Sequence, residues 1–486
     1  MDGSTWTIPV SPQPGASLDA GDLARAASGQ ALPIAGNWPL QYRRPVAIDL
    51  CRSERSTLLQ PGELGIDPEL GRFALAPGDP AIPGAASPPI NANAGPGDFS
   101  ADYVEGFPDQ VGALTYDRML DPTQQATRLV SKFGEAPTPL TEAPPAPLPV
   151  HASVAAAVAA AADGEVIEIL DSATYSATEA TTLANSQVSA LTIRAAAGQR
   201  PCLTFYQAVK APAPASFRVA VAMDFLELNG LLLSGGPLVI ENKVSDLRLE
   251  ACTLDPRLGV SLLAADLDLN DRAAYLLCRC VAGGLQTGDG VAQLTIADSI
   301  IDQSGSIALA GLLGVGSPPI FSSPPLLASP PSSPPQIPRP AARNVQLERV
   351  TVLGRIHCEV LSASESILDD VAVAEDRQSG CIRFSRFETG SLLPRRYQCV
   401  PSEQDEAECP SGGRCLAPFF NSRRFGRPDY LQLAAATPAQ ILSASEQHSE
   451  IGAFAGALNT VRLGNLRAKL KEFMPVGLEP VIIAET

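Results

Sequence analysis

A unit of about 20 residues recurs between residues 188 and 375, and no other feature restricts the fold as much. Five segments carry it: 226–233 (LELNGLLL), 247–254 (LRLEACTL), 294–301 (LTIADSII), 345–352 (VQLERVTV) and 366–373 (SILDDVAV). A weaker copy is 275–282 (YLLCRCVA), and an early one starts at Leu191 (LTIRAA). The pattern is apolar–x–apolar–x–x–small or apolar–x–apolar. A period of this size marks a solenoid, in which each unit buries its apolar face only against its neighbours. Alternation inside the unit has period two, so the unit is a strand and not a helical turn. After the first triplet a polar or small pair intervenes, such as Asn229–Gly230 or Asp298–Ser299, and the chain is expected to bend there. Stacking such coils gives a parallel β-helix. One predicted inward ladder is Leu228, Leu249, Leu277, Ile296, Leu347 and Leu368. A leucine-rich-repeat horseshoe needs a tighter Leu/Asn consensus and a helix in each unit, and the sequence shows neither.

The 486 residues are 45% apolar, enough for a large core, and carry a net charge of −17. Unspecific binding to nucleic acid or to an anionic membrane requires a basic surface, so both are excluded as expectations. The N-terminus MDGSTWTIPV lacks the basic-then-apolar order of a signal peptide. No stretch reaches the roughly 18 apolar residues of a membrane span. The expectation is cytoplasmic synthesis without membrane insertion, with release by lysis or as part of a particle.

Residues 1–48 read as an irregular arm rich in Pro, Gly and Ala, with a short helix near 20–27. Its Trp6 and Trp38 are the only tryptophans of the chain. They either anchor the arm on a folded neighbour or contact another subunit. Residues 49–134 read as a small β-rich docking module. The segment 66–75 reads as a turn at Asp67–Pro68 followed by a strand, a second strand covers 102–107, and a closing helix covers 119–134. The Pro-rich stretch 135–149 (EAPTPLTEAPPAPLP) reads as a linker and a domain boundary. The Ala-rich segment 152–163, with Ser153 at its start and Gly164 as its stop, predicts a helix that closes the open end of the solenoid spanning 150–378. The insert 317–340 is too rich in Pro to join a ladder.

The segments GIDPELGRFAL (65–75) and ADYVEGFPDQVGALTYDR (101–118), then GCIRFS (380–385), PRRYQC (394–399), FGRPDY (425–430), SEIGAF (449–454) and NLRA (465–468), carry a resemblance. Together they resemble proteins of phage-tail-like contractile injection gene clusters. The helix–Gly–strand entry at 152–175 is similar to that of pectin-lyase-type β-helices. Read with the repeat, the fold class is mainly β. It is a right-handed parallel β-helix with a small β-rich N-terminal domain and a mixed α/β C-terminal docking region, 379–486. Within that last region the sequence predicts a helix over 438–443 capped by Thr437. An amphipathic helix follows over 460–474 with Leu463, Leu466, Leu470 and Phe473 on one face, and a strand over 476–484 ends the chain.

The function that the resemblance implies is a structural part of a contractile injection particle, at its baseplate or periphery. Its partners would be other proteins of the assembly and further copies of itself. The runner-up is a tailspike-like β-helix that binds or cleaves carbohydrate. Such an enzyme needs paired carboxylates. Asp298 with Asp302, and Asp369 with Asp370, are the candidates, although adjacent strand residues face opposite ways. His357–Cys358 fails as a pair for the same reason. No catalytic, cofactor or metal residues are expected. Of the ten cysteines, Cys252, Cys278 and Cys280 read as core positions, and Cys381, Cys399, Cys409 and Cys415 form a polar group. The polar group lacks the C-x-x-C knuckles of a zinc site, and free thiols, disulfides and metal ligation all stay open for it. The remaining candidate is a set of arginines in an acidic chain: Arg383, Arg386, Arg395, Arg396, Arg423, Arg424 and Arg427. These either neutralise the acidic run 403–408 or dock an acidic neighbour.

Overall fold

The computed structural model describes residues 44–47, 63–67, 72–75, 109–132 and 148–473, apart from 117, 119, 122, 178–179, 206–214, 266–271, 289, 312–339, 409–415 and 428. Trp6, Trp38, the expected strand at 102–107, the Pro-rich insert, Cys409 and Cys415 lie outside this set.

The chain divides into two compact units, residues 1–105 and 106–486. In the first, Arg44–Ala47 pairs in parallel with Glu63–Asp67, which pairs antiparallel with Arg72–Leu75. The turn expected after Asp67 is therefore a hairpin, with Asp67 opposite Arg72. Arg44–Ala47 is a strand, so the expected irregular arm does not extend to residue 48.

The second unit is a parallel β solenoid. Its strands pair mostly with the third strand on in sequence, so three strands make one coil. The alternating apolar pattern sets the register, because a one-residue slip would turn the whole apolar set outward. One interior column runs Arg128, Ile167, Ile193, Leu228, Leu249, Leu277, Ile296, Leu347, Ala363, Ile382, Arg396. Its nine apolar members are at most 3% exposed. Each such side chain contributes about 1.5–3 kcal/mol by leaving water, less for Ala363.

Five of the six expected ladder residues stand in this column. The sixth does not: Leu368 pairs with Val352 on the next face, and Ala363 occupies the expected place. This coil returns after 16 residues (Leu347 to Ala363) and offers only Ala to the column, so the more apolar 366–373 imitates the unit.

The solenoid is longer than 150–378 at both ends. Arg128–Val130 pairs with Ile167–Ile169, so the expected helix over 119–134 is replaced by a strand. Edge pairing and the burial of Val130 outweigh local helix propensity there. Val150–His151, directly after the expected linker, pairs with Leu129–Val130 before it, so both sides of the linker belong to one sheet, and the unit boundary falls at 105/106 instead. At the other end Cys381–Arg383 and Arg395–Tyr397 add two coils, so the C-terminal region begins as solenoid.

The expected closing helix is present as Val154–Ala159. Ser153 accepts the Ala156 N–H at 3.2 Å, and Gly164 follows at φ +73°. Val154, Ala157 and Val158 enter the same core cluster as Val130 and Ile167, so the helix shields the first coil's interior. The helix Ala439–Leu442 forms without a side-chain cap. The expected cap, Thr437, instead exchanges hydrogen bonds with the Phe419 backbone (3.2 and 2.8 Å). A helix is present over Asn459–Phe473, but the expected amphipathic face is not borne out: its apolar residues gather only weakly on one side, and the side chains of Leu463, Leu466 and Phe473 lie outside the described set.

Eight coils bend at a left-handed residue in the same place. Gly230, Ala251, Arg279, Asp298, Arg349, Glu365, Phe384 and Gln398 each stand two residues past their coil's member of the interior column, and all have positive φ. Only one is glycine. A left-handed non-glycine residue costs roughly 1–2 kcal/mol, so the stacked ladders must hold each bend in place. The next residue turns inward and meets backbone carbonyls, and here Cys and Ser recur. Cys252, Cys280 and Cys399 donate their thiols to carbonyls of the same or the preceding coil. Ser299, Ser366 and Ser385 donate to the carbonyl two residues back and accept an N–H from the coil before.

Candidate functional site

Past the bend, the next outward residues are Thr253, Val281, Ile300, Thr351, Ile367 and Arg386. The apolar Val281, Ile300 and Ile367 on this outer face must be covered, and two segments from opposite ends of the second unit cover them. Val111 from the first segment joins Val281, Ile300, Leu353, Tyr430, Leu431, Ala453 and Phe454 in one cluster. Ile441 and Ile451 pack on Ile367 and Val400 in another.

The two segments dock by the same device. Gly112 donates its N–H to the carbonyl of the bend residue Arg279 (2.8 Å), and Ala113 donates to Thr253 Oγ1 (2.8 Å). Gly452 donates to the carbonyl of the bend residue Glu365 (2.7 Å), and Ala453 donates to Thr351 Oγ1 (3.0 Å). Both glycines have positive φ, +84° and +96°. A Cβ on Gly112 would lie 2.8 Å from Thr253 Oγ1, and one on Gly452 would lie 2.6 Å from Thr351 Oγ1. Val111–Gly112–Ala113 and Ile451–Gly452–Ala453 are thus two copies of one clip. The signal was present in the sequence as a repeated aliphatic–Gly–Ala, but nothing there says that the two share a face.

Between the clips lies a groove of about 510 Å³ over the bend residues Arg279, Asp298, Arg349 and Glu365. Asp109–Val111 forms one wall, and Ser445, Gln447 and Ala455–Leu458 form the other. Its charges are cross-linked. Arg279 holds Glu250 on the coil before, and Arg349 grips Asp298 through two nitrogens (2.5 and 2.9 Å). Glu365 accepts the Glu446 N–H at 2.9 Å. Beside the groove, Glu450 is 3% exposed and accepts Asn459 Nδ2 at 2.7 Å. Burial pushes its carboxyl up to about 7; hydrogen bonds from Asn459 pull the other way, and Asp109 adds to the rise. Neither Glu450 nor Asp109 was singled out from the sequence, where each is one acid among many.

The four candidate catalytic carboxylates are dispersed. Asp298 is bound to Arg349, and Asp302 accepts from Tyr430 and Ser304. Asp369 lies against Arg386 and Arg423, and Asp370 is 3.9 Å from Arg355. His357 meets Glu375 at 3.1 Å, while Cys358 points into the core at 0% exposure. Among the described residues no three His, Cys, Asp or Glu side chains form a metal cluster. Cys399 is not a loop residue but a member of the inward Cys/Ser row at the bends.

Of the arginines proposed for docking, Arg386 is misplaced. It is fully buried, donating to Glu388 at 2.7 Å and to the carbonyls of Leu368 and Leu416. A guanidinium fits there because two carboxylates and two carbonyls replace its water. It ties the last coils to the C-terminal segment instead of meeting a partner. Arg383, Arg395 and Arg396 share the last two paired strands and are exposed, and Arg396 does neutralise Glu406 (3.1 Å). Arg423 and Arg424 are exposed, with Arg423 over the Phe420 ring, and Arg427 is half-buried.

Among the described residues no helix is long and apolar enough to cross a membrane. Comparison with models of known families, with curated proteins and with solved structures returned no match.

Proposed function

We propose that this chain is a non-enzymatic structural component of a phage-tail-like contractile injection particle, placed at its baseplate or periphery. The solenoid would be a right-handed β-helix, the hand that parallel crossovers adopt in nearly all cases. The observation that carries the reading is the interior column from Arg128 to Arg396. Its ten steps at strand spacing span roughly 48 Å without a break. Ion pairs between successive coils brace it outside: Arg128–Glu165, Arg194–Glu168, Arg279–Glu250 and Arg349–Asp298. A stacked core and a continuous backbone ladder resist bending, which suits a strut. The exposed Arg383, Arg395, Arg423 and Arg424 would face acidic neighbours or a second copy. The carboxylates that a hydrolase would need are engaged in holding arginines and tyrosine.

The test is to pellet a native lysate at high speed and identify the proteins of the pellet by mass spectrometry. Co-sedimentation with sheath and tube proteins through salt washes is expected. A chain that stays in the supernatant while sheath sediments would overturn the assignment, and binding or cleavage of acidic polysaccharides would then be the reading to test.

A further inference from the structure

The seam where the two clipped segments meet joins two carboxyl groups from opposite ends of the second unit. Asp109 immediately precedes the first clip segment, and its Oδ2 would lie 3.8 Å from a Cβ on Gly456 of the second. Glu450 directly precedes the second clip and is enclosed. Among the described residues its hydrogen-bonding neighbour is an amide, Asn459, at the head of the helix Asn459–Phe473. Other charges surround the seam without neutralising it. Arg279 and Arg349 across the groove already hold Glu250 and Asp298. Glu365 and Asp298 are themselves acids. On the segment's own side Glu446 and His448 are exposed, and on the helix Arg462 is exposed.

We propose that the C-terminal segment is a proton-controlled latch: protonated Glu450 closes it on the solenoid, and ionised Glu450 beside Asp109 loosens it. Opening would uncover the apolar strip of Ile300, Leu353 and Ile367 and both walls of the groove. This goes beyond the structural role proposed above and does not depend on it.

The direction follows from linkage. Glu450 titrates at about 7 when closed, and its ordinary value is 4.5. The closed state therefore binds more protons between those values, and rising pH favours opening through that window. With these two values the opening equilibrium grows about tenfold between pH 6 and pH 8.

Hydrogen exchange of the full chain, corrected for the intrinsic pH dependence, reads this directly in the peptide covering 445–458. Protection should fall by about tenfold from pH 6 to pH 8 in the wild type. Glu450→Gln, which keeps the shape and a neutral hydrogen bond to Asn459, should hold protection constant across that range. Asp109→Asn should shrink the loss, because Glu450 without that neighbouring charge titrates lower in the closed state. The interior strands 247–254 serve as an internal control and should not change. Equal pH profiles for wild type and Glu450→Gln, with both folded by that control, would overturn the latch.

Discussion

Arg128 and Arg396 stand at opposite ends of one interior column, so two guanidiniums close a stack of nine apolar side chains. Both are engaged by neighbouring side chains. Arg128 reaches both carboxylate oxygens of Glu165 and His151 Nε2, and Arg396 lies over the Phe387 ring at 4.8 Å and bonds Glu406. A solenoid end exposes unpaired strand edges that invite another chain, and an inward-pointing charge makes such stacking costly. Arg396 is the more open of the two, on a strand whose three residues are all exposed. Arg396→Leu should therefore produce concentration-dependent species above those of the wild type in sedimentation velocity, while Arg396→Lys should not. Identical profiles for the Leu variant and the wild type would remove the guarding role.

The clips make a prediction about backbone. Gly452→Ala forces a left-handed alanine and a Cβ at 2.6 Å from Thr351 Oγ1 and 2.9 Å from Ile367. Strain and overpacking together cost about 2–4 kcal/mol. Gly112→Ala meets Thr253 at 2.8 Å and Val281 at 3.0 Å and should cost a similar amount. Gly390→Ala, also at positive φ but with open space around it, should cost only the conformational part, about 1–2 kcal/mol. Chemical denaturation of the three variants would rank them, and a Gly390 variant as damaged as the others would show that the clips are not special.

The core of this fold was legible because period-two alternation and a fixed coil length leave few ways to stack Leu, Ile and Val. What was lost depended on partners distant in sequence. Ala363 is too small to announce an interior position, and Ser366–Val373 imitates the unit better. Arg128–Val130 is only three residues long, and what makes it a strand is Ile167–Ile169, almost 40 residues away. The outer face was legible as apolar residues at Val281, Ile300 and Ile367, but its cover was not. The clips bind through two backbone N–H groups, which every residue has, so their glycines mark them only once the bend carbonyls and threonines are in place. Arg386 was read as surface because arginine usually is. Its burial depends on Glu388, Asp369 and a carbonyl from residue 416, and no single-sequence pattern joins these.

Arg386 can be tested against its partners. Arg386→Met keeps the length of the side chain but leaves the Glu388 and Asp369 carboxylates without it in a buried site. Breaking a buried pair in this way costs about 3–5 kcal/mol. Neutralising the nearest carboxylate in the same chain, Arg386→Met with Glu388→Gln, should recover a substantial part of that loss. Arg424→Met, at an exposed position, should change stability by less than about 0.5 kcal/mol. A double variant no better than Arg386→Met would mean that packing, and not charge, decides this site.

The row of thiols and hydroxyls behind the bends makes the last prediction. Cys252 and Cys280 are at most 1% exposed, and burial raises both thiols, Cys252 to about 12 and Cys280 well above the ordinary value. Burial lifts Cys358 to about 12 as well. Near neutral pH these groups are thiols with almost no thiolate, the form that reacts. Iodoacetamide under native conditions should therefore label the exposed Cys381 and spare Cys252, Cys280 and Cys358, as peptide mass spectrometry would show. The same geometry says what replaces them. Serine already fills this place at Ser299, Ser366 and Ser385, bonding the same kind of carbonyl, so Cys280→Ser should cost no more than about 1 kcal/mol. Cys280→Leu, which removes the donor and adds bulk at a fully packed bend, should cost about 1–3 kcal/mol more. Equal stability of the Ser and Leu variants would mean that the row serves only to fill space, and the carbonyls it meets would then need no donor.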